Sequence, residues 1–384
     1  MKVLKKEKNT TYKTITILKI FMVLLLVSCK KSDPIPHSSL SDQISNQKYV
    51  DILESNLTNL PEGAQVAIAL IKGDKTEYIG VIRENGELKV KDNTNSIFEI
   101  GSITKVFTSI CLSSMINSNE ASLSETLQEQ FDFPLLAVGN VTFKQMANHT
   151  SGIPRMPNNV NEIIGFNPED LYAVYTYENL KSYLQNHVVL NNPSGTVYEY
   201  SNIATGILGY SLARKRNTTY EELLQDIIFN PLGMNSSTTL LSNVDTSRLV
   251  EPRDINGNIK IHWNFAETVT AAGSIKSSVN DMEKFIRKNF EDDVIYNLPQ
   301  QKTFKKETDQ HVGLGWGISD HEGFSLLQHD GGTGGFSSIL FIDKNNEIGV
   351  LILSNVEEYH ETIVPMATNF LIELKFNKEK VKSY

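Results

Sequence analysis

Strand-forming runs lie at the two ends of this chain and helical spacing fills the middle, a layout that few folds accommodate. Ala64 to Ile71 is apolar and β-branched, Lys72-Gly73-Asp74-Lys75 has turn chemistry, and Tyr78 to Ile82 makes a second strand, so the pair reads as a hairpin. Strand signals return from Gly323 to His329, Gly335 to Asp343 and Glu347 to Ser354, with Lys344-Asn345-Asn346 as the last turn. Hairpin connections imply antiparallel pairing. Residues 102–300 are mostly helical and rich in loops, and helical spacing also marks Ser45 to Leu60 and Glu361 to Leu374. The expectation is an α+β fold: an antiparallel sheet assembled from both chain ends, flanked by terminal helices, with a helical subdomain inserted between.

Composition supports one sizeable core, since 40% of the 384 residues are hydrophobic and 21% charged. Two cysteines, Cys29 and Cys111, rule out a disulfide scaffold and a Cys-based zinc site. The net charge of −9, with no basic block outside the N-terminus, argues against nucleic-acid binding. Cys111 sits in an apolar helical run and reads as a small buried hydrophobe. Nothing in the sequence specifies an oligomeric state.

Residues 1–28 read as an address. A Lys-rich stretch precedes the apolar run Ile20 to Val27, which is too short to span a bilayer and fits a signal peptide. Leu26-Val27-Ser28-Cys29 resembles the lipobox of bacterial lipoproteins, which implies cleavage before Cys29, acylation of that residue and a membrane anchor on an exported protein. The alternative is a signal peptide that merely ends near a cysteine. Residues 29–45 are polar and read as a tether, leaving 46–384 as the folded domain. The leader carries six of the lysines and one glutamate, so the chain from residue 29 onward has a net charge of −14.

Three clusters can do chemistry. Ser102 begins a helix and Lys105 lies one turn on, where a desolvated lysine can take a proton from a serine. The same Ser-x-x-Lys spacing at Ser45 to Lys48 is explained by a helix cap. Tyr200 and Asn202 lie two apart on a loop after Pro193-Ser194-Gly195, and a tyrosine can relay protons if nearby cations lower its pKa. Tyr177 and Asn179 repeat that spacing in an ordinary surface helix. Gln328-His329-Asp330-Gly331-Gly332 ends one strand and leads to the next, where glycines let a backbone approach a ligand or simply turn.

In this order the three clusters resemble the serine β-lactamase/penicillin-binding-protein superfamily, in its class C-like branch of DD-peptidases and esterases. His149-Thr150-Ser151-Gly152-Ile153-Pro154, Pro231-Leu232-Gly233-Met234, Ala272-Gly273-Ser274 and Gly313-Leu314-Gly315-Trp316 also fit, so the likeness covers about residues 64–355. The resemblance implies Ser102 as the acylated nucleophile, with Lys105 and Tyr200 sharing the acid and base duties in an order the sequence leaves open. It implies that Asn202 orients Lys105 and the substrate, that His329 and Gly331 border the substrate, and that the N–H groups of Ser102 and Gly332 form an oxyanion hole. The His149 segment is largely structural in relatives, and no metal or cofactor is implied. The implied function is a membrane-anchored serine hydrolase acting on a peptide or ester. The alternatives are a class C-like β-lactamase and a slowly acylating penicillin-binding sensor.

Antibiotic-hydrolysing members usually carry Lys-Thr-Gly where this chain has His329-Asp330-Gly331. A neutral histidine suits a β-lactam carboxylate poorly, and so does Asp330 if it points inward and not to the other face of the strand, so little or no β-lactamase activity is expected. Of the loop aromatics Tyr172, Tyr175, Tyr177, Trp263 and Phe265, most are expected to pack rather than line the cleft. No G-x-S-x-G elbow occurs, which disfavours an α/β-hydrolase.

Overall fold

The computed structural model describes residues 40–135 and 137–376. The leader, Cys29 and most of the tether lie outside the described residues. No helix among the described residues is long and apolar enough to cross a membrane.

Nine strands form one antiparallel sheet in the order β3-β2-β1-β11-β10-β9-β8-β7-β6. From the N-terminal end come β1 (Gln65–Lys72), β2 (Lys75–Glu84) and β3 (Glu87–Val90). A separate two-stranded ladder pairs β4 (Phe98–Glu99) with β5 (Lys276–Ser277). The rest are β6 (Phe304–Glu307), β7 (Gln310–Val312), β8 (Gly317–His321), β9 (Phe324–Thr333), β10 (Phe336–Asp343) and β11 (Ile348–Ser354). The two chain ends meet where β1 pairs with β11, Ile68 opposite Ile352.

The central strands are buried on both faces, which is why they read as continuous apolar runs instead of alternating ones. Ala67, Ala69, Ile71, Leu340, Ile342, Leu351 and Leu353 face a large core built with the helical subdomain. Val66, Ile68, Leu70, Ile339, Phe341, Val350 and Ile352 face a second core under the terminal helices. Those helices are α1 (Gln47–Asn56) and the C-terminal α5 (His360–Phe376), which touch through Tyr49 and Phe370, edge to face at 5.4 Å. The other helices of ten or more described residues are α2 (Thr104–Asn117), α3 (Asn202–Lys215) and α4 (Val279–Phe290). Nearly every α2 residue from Thr104 to Met115 is buried, the polar Thr104, Lys105, Thr108 and Ser109 included, so this helix runs through the core.

Several expectations need correction. Helix α1 stops at Asn56, and its cap is Asn46, whose Oδ1 accepts from the Lys48 N–H at 3.1 Å; Ser45 is exposed and caps nothing. Leu40 and Ile44, counted above with the tether, are buried among Leu53 and Phe370, because two apolar side chains gain more from the core than from solvent. Strands β3, β6, β7 and β8 were not anticipated. Edge strands such as Phe304–Glu307 carry charge where central strands carry apolar side chains. Strand β9 runs on through the glycines to Thr333, since pairing of Gly332 with Ser337 outweighs the low strand propensity of glycine. Tyr177 opens a short helix and is half-buried beside Tyr210, 6.1 Å between ring centres, rather than on the surface. Cys111 is fully buried, and burial pushes its thiol up, as suits a core residue.

Candidate active site

Ser102 lies in a single 3-10 turn, Gly101–Ile103, between β4 and α2. Gly101 has φ +52°, and a Cβ there would meet the Gly332 nitrogen at 2.6 Å. The turn is therefore pressed against the backbone of β9. Gly331 is as tight, since a Cβ on it would meet the Ile100 carbonyl oxygen at 2.1 Å. Ser338 Oγ donates to that same carbonyl at 2.9 Å.

Burial of α2 takes Lys105 with it, at 0% exposure. Its Nζ lies 3.0 Å from Ser102 Oγ and donates to the Ala272 carbonyl at 2.6 Å. No carboxylate lies within ion-pair distance among the described residues. Desolvation, with the nearby Arg155 charge adding to it, holds the Lys105 ammonium well below its ordinary 10.5. Ala272 is placed by the 271–275 segment, which is tied to the nucleophile turn through Ile100 N–H to Ile275 O (3.0 Å) and Ile275 N–H to Thr104 Oγ1 (3.2 Å).

Tyr200 lines the same open compartment as Ser102 and interacts with its side chain. Its ring lies under two cations, 4.8 Å from Lys105 Nζ and 5.0 Å from the Arg155 guanidinium. The expected lowering of its pKa does not follow. Burial dominates the Ser102 interaction and the Arg155 charge, and pushes the phenol above its usual value. Tyr200 is therefore a neutral phenol near pH 7.

His149 does more than fill space. At φ +59°, its carbonyl accepts the Glu199 N–H at 2.7 Å and its Nδ1 accepts the Ser201 N–H at 3.3 Å. It thus holds the residues on both sides of Tyr200, and its ring lies 4.4 Å from the Tyr200 ring. Desolvation, then neighbouring Lys105, His329, Lys306 and Arg155, keep the imidazole neutral. More bonds join the two loops: Ser201 Oγ to Pro154 O at 2.8 Å and Asn202 N–H to Arg155 O at 3.0 Å.

Asn202 does not bond Lys105 as expected. Its Nδ2 donates to the Tyr172 hydroxyl at 2.7 Å, while the Ala272 carbonyl takes the place at Lys105. The buried Asn202 Oδ1 has no protein partner. His329 also departs from expectation. Its Nδ1 donates to the Asp330 carbonyl at 2.6 Å, and burial lowers the ring to about 4. It lines a cavity of about 250 Å³ behind Tyr200, with His149 and Trp316, and neither compartment that contains Ser102. Asp330 borders that cavity too, but alternation along β9 also brings it to the open compartment at Ser102.

Two compartments meet at Ser102. One, of about 140 Å³, is walled by Tyr172, Trp263 and Phe265, with Arg155, Asn202 and Gly332. Tyr172 stacks on Phe265 at 5.0 Å, so these three aromatics line the cleft, contrary to expectation, while Tyr175 packs in the core. Buried Glu99 in β4 pins that wall, accepting from the Trp263 N–H at 3.2 Å and pairing with His262 Nδ1 at 2.8 Å. The second compartment, about 370 Å³ and open, carries Arg155, Asp330, Glu358 and His360 beside Ser102, Tyr200 and Gly332.

A family model described as Beta-lactamase matches residues 53–369. The chain belongs to the beta-lactamase family. It is 22% identical over 307 residues to Penicillin-binding protein 4* of Bacillus subtilis (strain 168), covering 72% of this chain and 65% of that protein. It is 25% identical over 316 residues to the D-alanyl-D-alanine-carboxypeptidase/endopeptidase AmpH of Escherichia coli (strain K12), covering 75% and 78%. A class C beta lactamase from Rhodobacter sphaeroides shares the fold at TM-score 0.70 and 18% identity, over 86% of this chain and 99% of the other. The sheet built from both chain ends and the helical insertion are thus those of the β-lactamase/transpeptidase-like fold.

Within this beta-lactamase family member, Ser102, Lys105, Tyr200 and Gly332 come together and Asn202 borders the same cleft, whereas Gly331 is buried against the Ile100 carbonyl and lines neither compartment. Arg155 and His360 were missed. Arg155 directly follows the His149–Pro154 segment, which is the signal that could have flagged it.

Proposed function

We propose that the chain is a serine hydrolase that cleaves a peptide or ester through an acyl-enzyme on Ser102. The observation that carries this reading is the Ser102 hydroxyl set between a neutral Tyr200 and a buried Lys105 that has no carboxylate partner among the described residues. Lys105, its charged form disfavoured by burial, takes the Ser102 proton as Oγ bonds to the substrate carbonyl carbon. The Ser102 and Gly332 N–H groups hold the oxyanion. The Thr333 to Phe336 hairpin supports Gly332 in that part. Its two-residue loop makes Thr333 and Phe336 the hydrogen-bonded pair, so the Gly332 N–H points away from β10, toward Gly101 and Ser102. As the tetrahedral intermediate collapses, the leaving nitrogen or oxygen receives a proton through the Tyr200 phenol, resupplied from Lys105. Water then hydrolyses the acyl-enzyme.

The test is a panel of a chromogenic ester, a peptide ending in D-Ala-D-Ala and a chromogenic cephalosporin, with the trapped adduct mapped by mass spectrometry. Turnover of ester or peptide with the adduct on Ser102 is expected; an adduct elsewhere, or efficient cephalosporin turnover, overturns the reading. Asp330 gives the reason for weak β-lactam use, since its carboxylate faces the open compartment where an anionic substrate group would lie. Asp330→Asn is therefore expected to raise the acylation rate by a β-lactam up to about fivefold, a modest gain because the charge is exposed. Labelling by a fluorescent penicillin over time measures it.

We also propose that the protein is held on a membrane by acylated Cys29, supported by the lipobox resemblance. Cys29→Ala should leave ester turnover unchanged and move the protein from the membrane to the soluble fraction on cell fractionation.

A further inference from the structure

We infer that His360 is a positioning residue of the oxyanion hole, acting through the Gly331–Gly332 peptide. The inference rests on the reading above that the Gly332 N–H is an oxyanion donor. His360 Nε2 lies 2.8 Å from the Gly331 carbonyl oxygen. That oxygen only accepts, so the imidazole carries its proton on Nε2 and donates it. The Gly331 carbonyl and the Gly332 N–H are the two ends of one amide. A hydrogen bond accepted at the oxygen draws electron density from the nitrogen and makes its N–H a stronger donor.

The ring also fixes where that donor points. A Cβ on Gly332 would meet His360 Cε1 at 3.2 Å, so the imidazole lies against the Gly332 Cα. The helix that carries His360 is held to the same hairpin, with Ser337 Oγ accepting the Tyr359 N–H at 2.9 Å. Asp330 Oδ2 lies 3.7 Å from His360 Nε2, on the residue preceding the same peptide. His360 thus couples the start of the C-terminal helix to the peptide that faces Ser102, without touching the reacting atoms itself.

The experiment uses the whole protein and an ester labelled with ¹³C at its carbonyl, which gives a slowly hydrolysed acyl-enzyme. The carbonyl stretch reports the strength of the oxyanion hole. In the wild type the band should lie below that of the same ester in water. In His360→Phe it should move up toward the water value, with kcat lower by about tenfold, less than loss of a whole donor would cost, and KM within about twofold. His360→Gln, which restores an N–H near the position of Nε2, should recover most of both. A wild-type band no lower than in water removes the oxyanion hole and the inference with it. A lowered wild-type band that stays put in His360→Phe overturns the part assigned to His360 alone. Should His360→Phe be too unstable to measure, His360→Leu supplies the same comparison.

Discussion

Lys105→Met is expected to lower acylation of Ser102 by on the order of 10³-fold while costing no stability. The two effects have one cause. Lys105 is fully buried, has no carboxylate partner among the described residues and is held well below its ordinary pKa by desolvation. Those conditions put a basic nitrogen 3.0 Å from Ser102 Oγ, and they also make the protonated form expensive to bury. Methionine fills a similar volume without the charge.

The pH dependence carries the same signature. Because the folded pKa is depressed, the unfolded chain binds the extra proton throughout the window from that lowered value up to the ordinary 10.5. Stability from this group therefore rises with pH across the window, is complete above 10.5, and is lost as pH falls through the folded pKa. Denaturant unfolding of wild type and Lys105→Met at several pH values should show the rise in the former and a smaller one in the latter. Acylation by the wild type should also rise as pH climbs through the folded pKa of Lys105. Equal acylation rates in the two proteins would exclude Lys105 as the base.

Gly101→Ala is expected to remove about 2–4 kcal/mol of stability and on the order of 10²-fold in activity. Its φ of +52° penalises any side chain, and the new Cβ would stand 2.6 Å from the Gly332 nitrogen and 2.8 Å from its oxygen. Neither backbone can yield without moving Ser102 away from Gly332. Gly86→Ala is the control. It has φ +78° and nothing within 4 Å of an added Cβ, so it should pay the backbone cost of about 1 kcal/mol and keep full activity. Thermal melts and ester kinetics on the two variants separate conformational strain from the clash.

The parts of the site legible in the sequence were those set by local periodicity. Ser102 and Lys105 are three apart at a helix start, and that spacing alone brings them together. The strand pair 64–82 and the final helix were legible because apolar runs and turn residues bracket them. What was not legible depended on the phase of a strand or on tertiary contact. Ending β9 at His329 concealed its continuation, and only the continued strand shows that Asp330 reaches the cleft while His329 stays in the cavity behind it. Two cations do lie near Tyr200, yet its pKa moves up, because burial of the phenol outweighs them. The hold of His149 on Tyr200 requires a positive φ at a non-glycine residue, which composition does not announce.

The nucleophile turn is gripped from parts of the chain made much later. Lys105 is oriented by a carbonyl 167 residues on, and the Ile100 carbonyl is held by a serine 238 residues on. Closing loops of that length comes late in folding, because their entropy must be met before the contacts repay it. A chain still being synthesised therefore carries the serine and the lysine without a working catalyst. Hydrolysis begins only when the final strands arrive, so enzymatic activity doubles as a report that the whole polypeptide has been completed and folded.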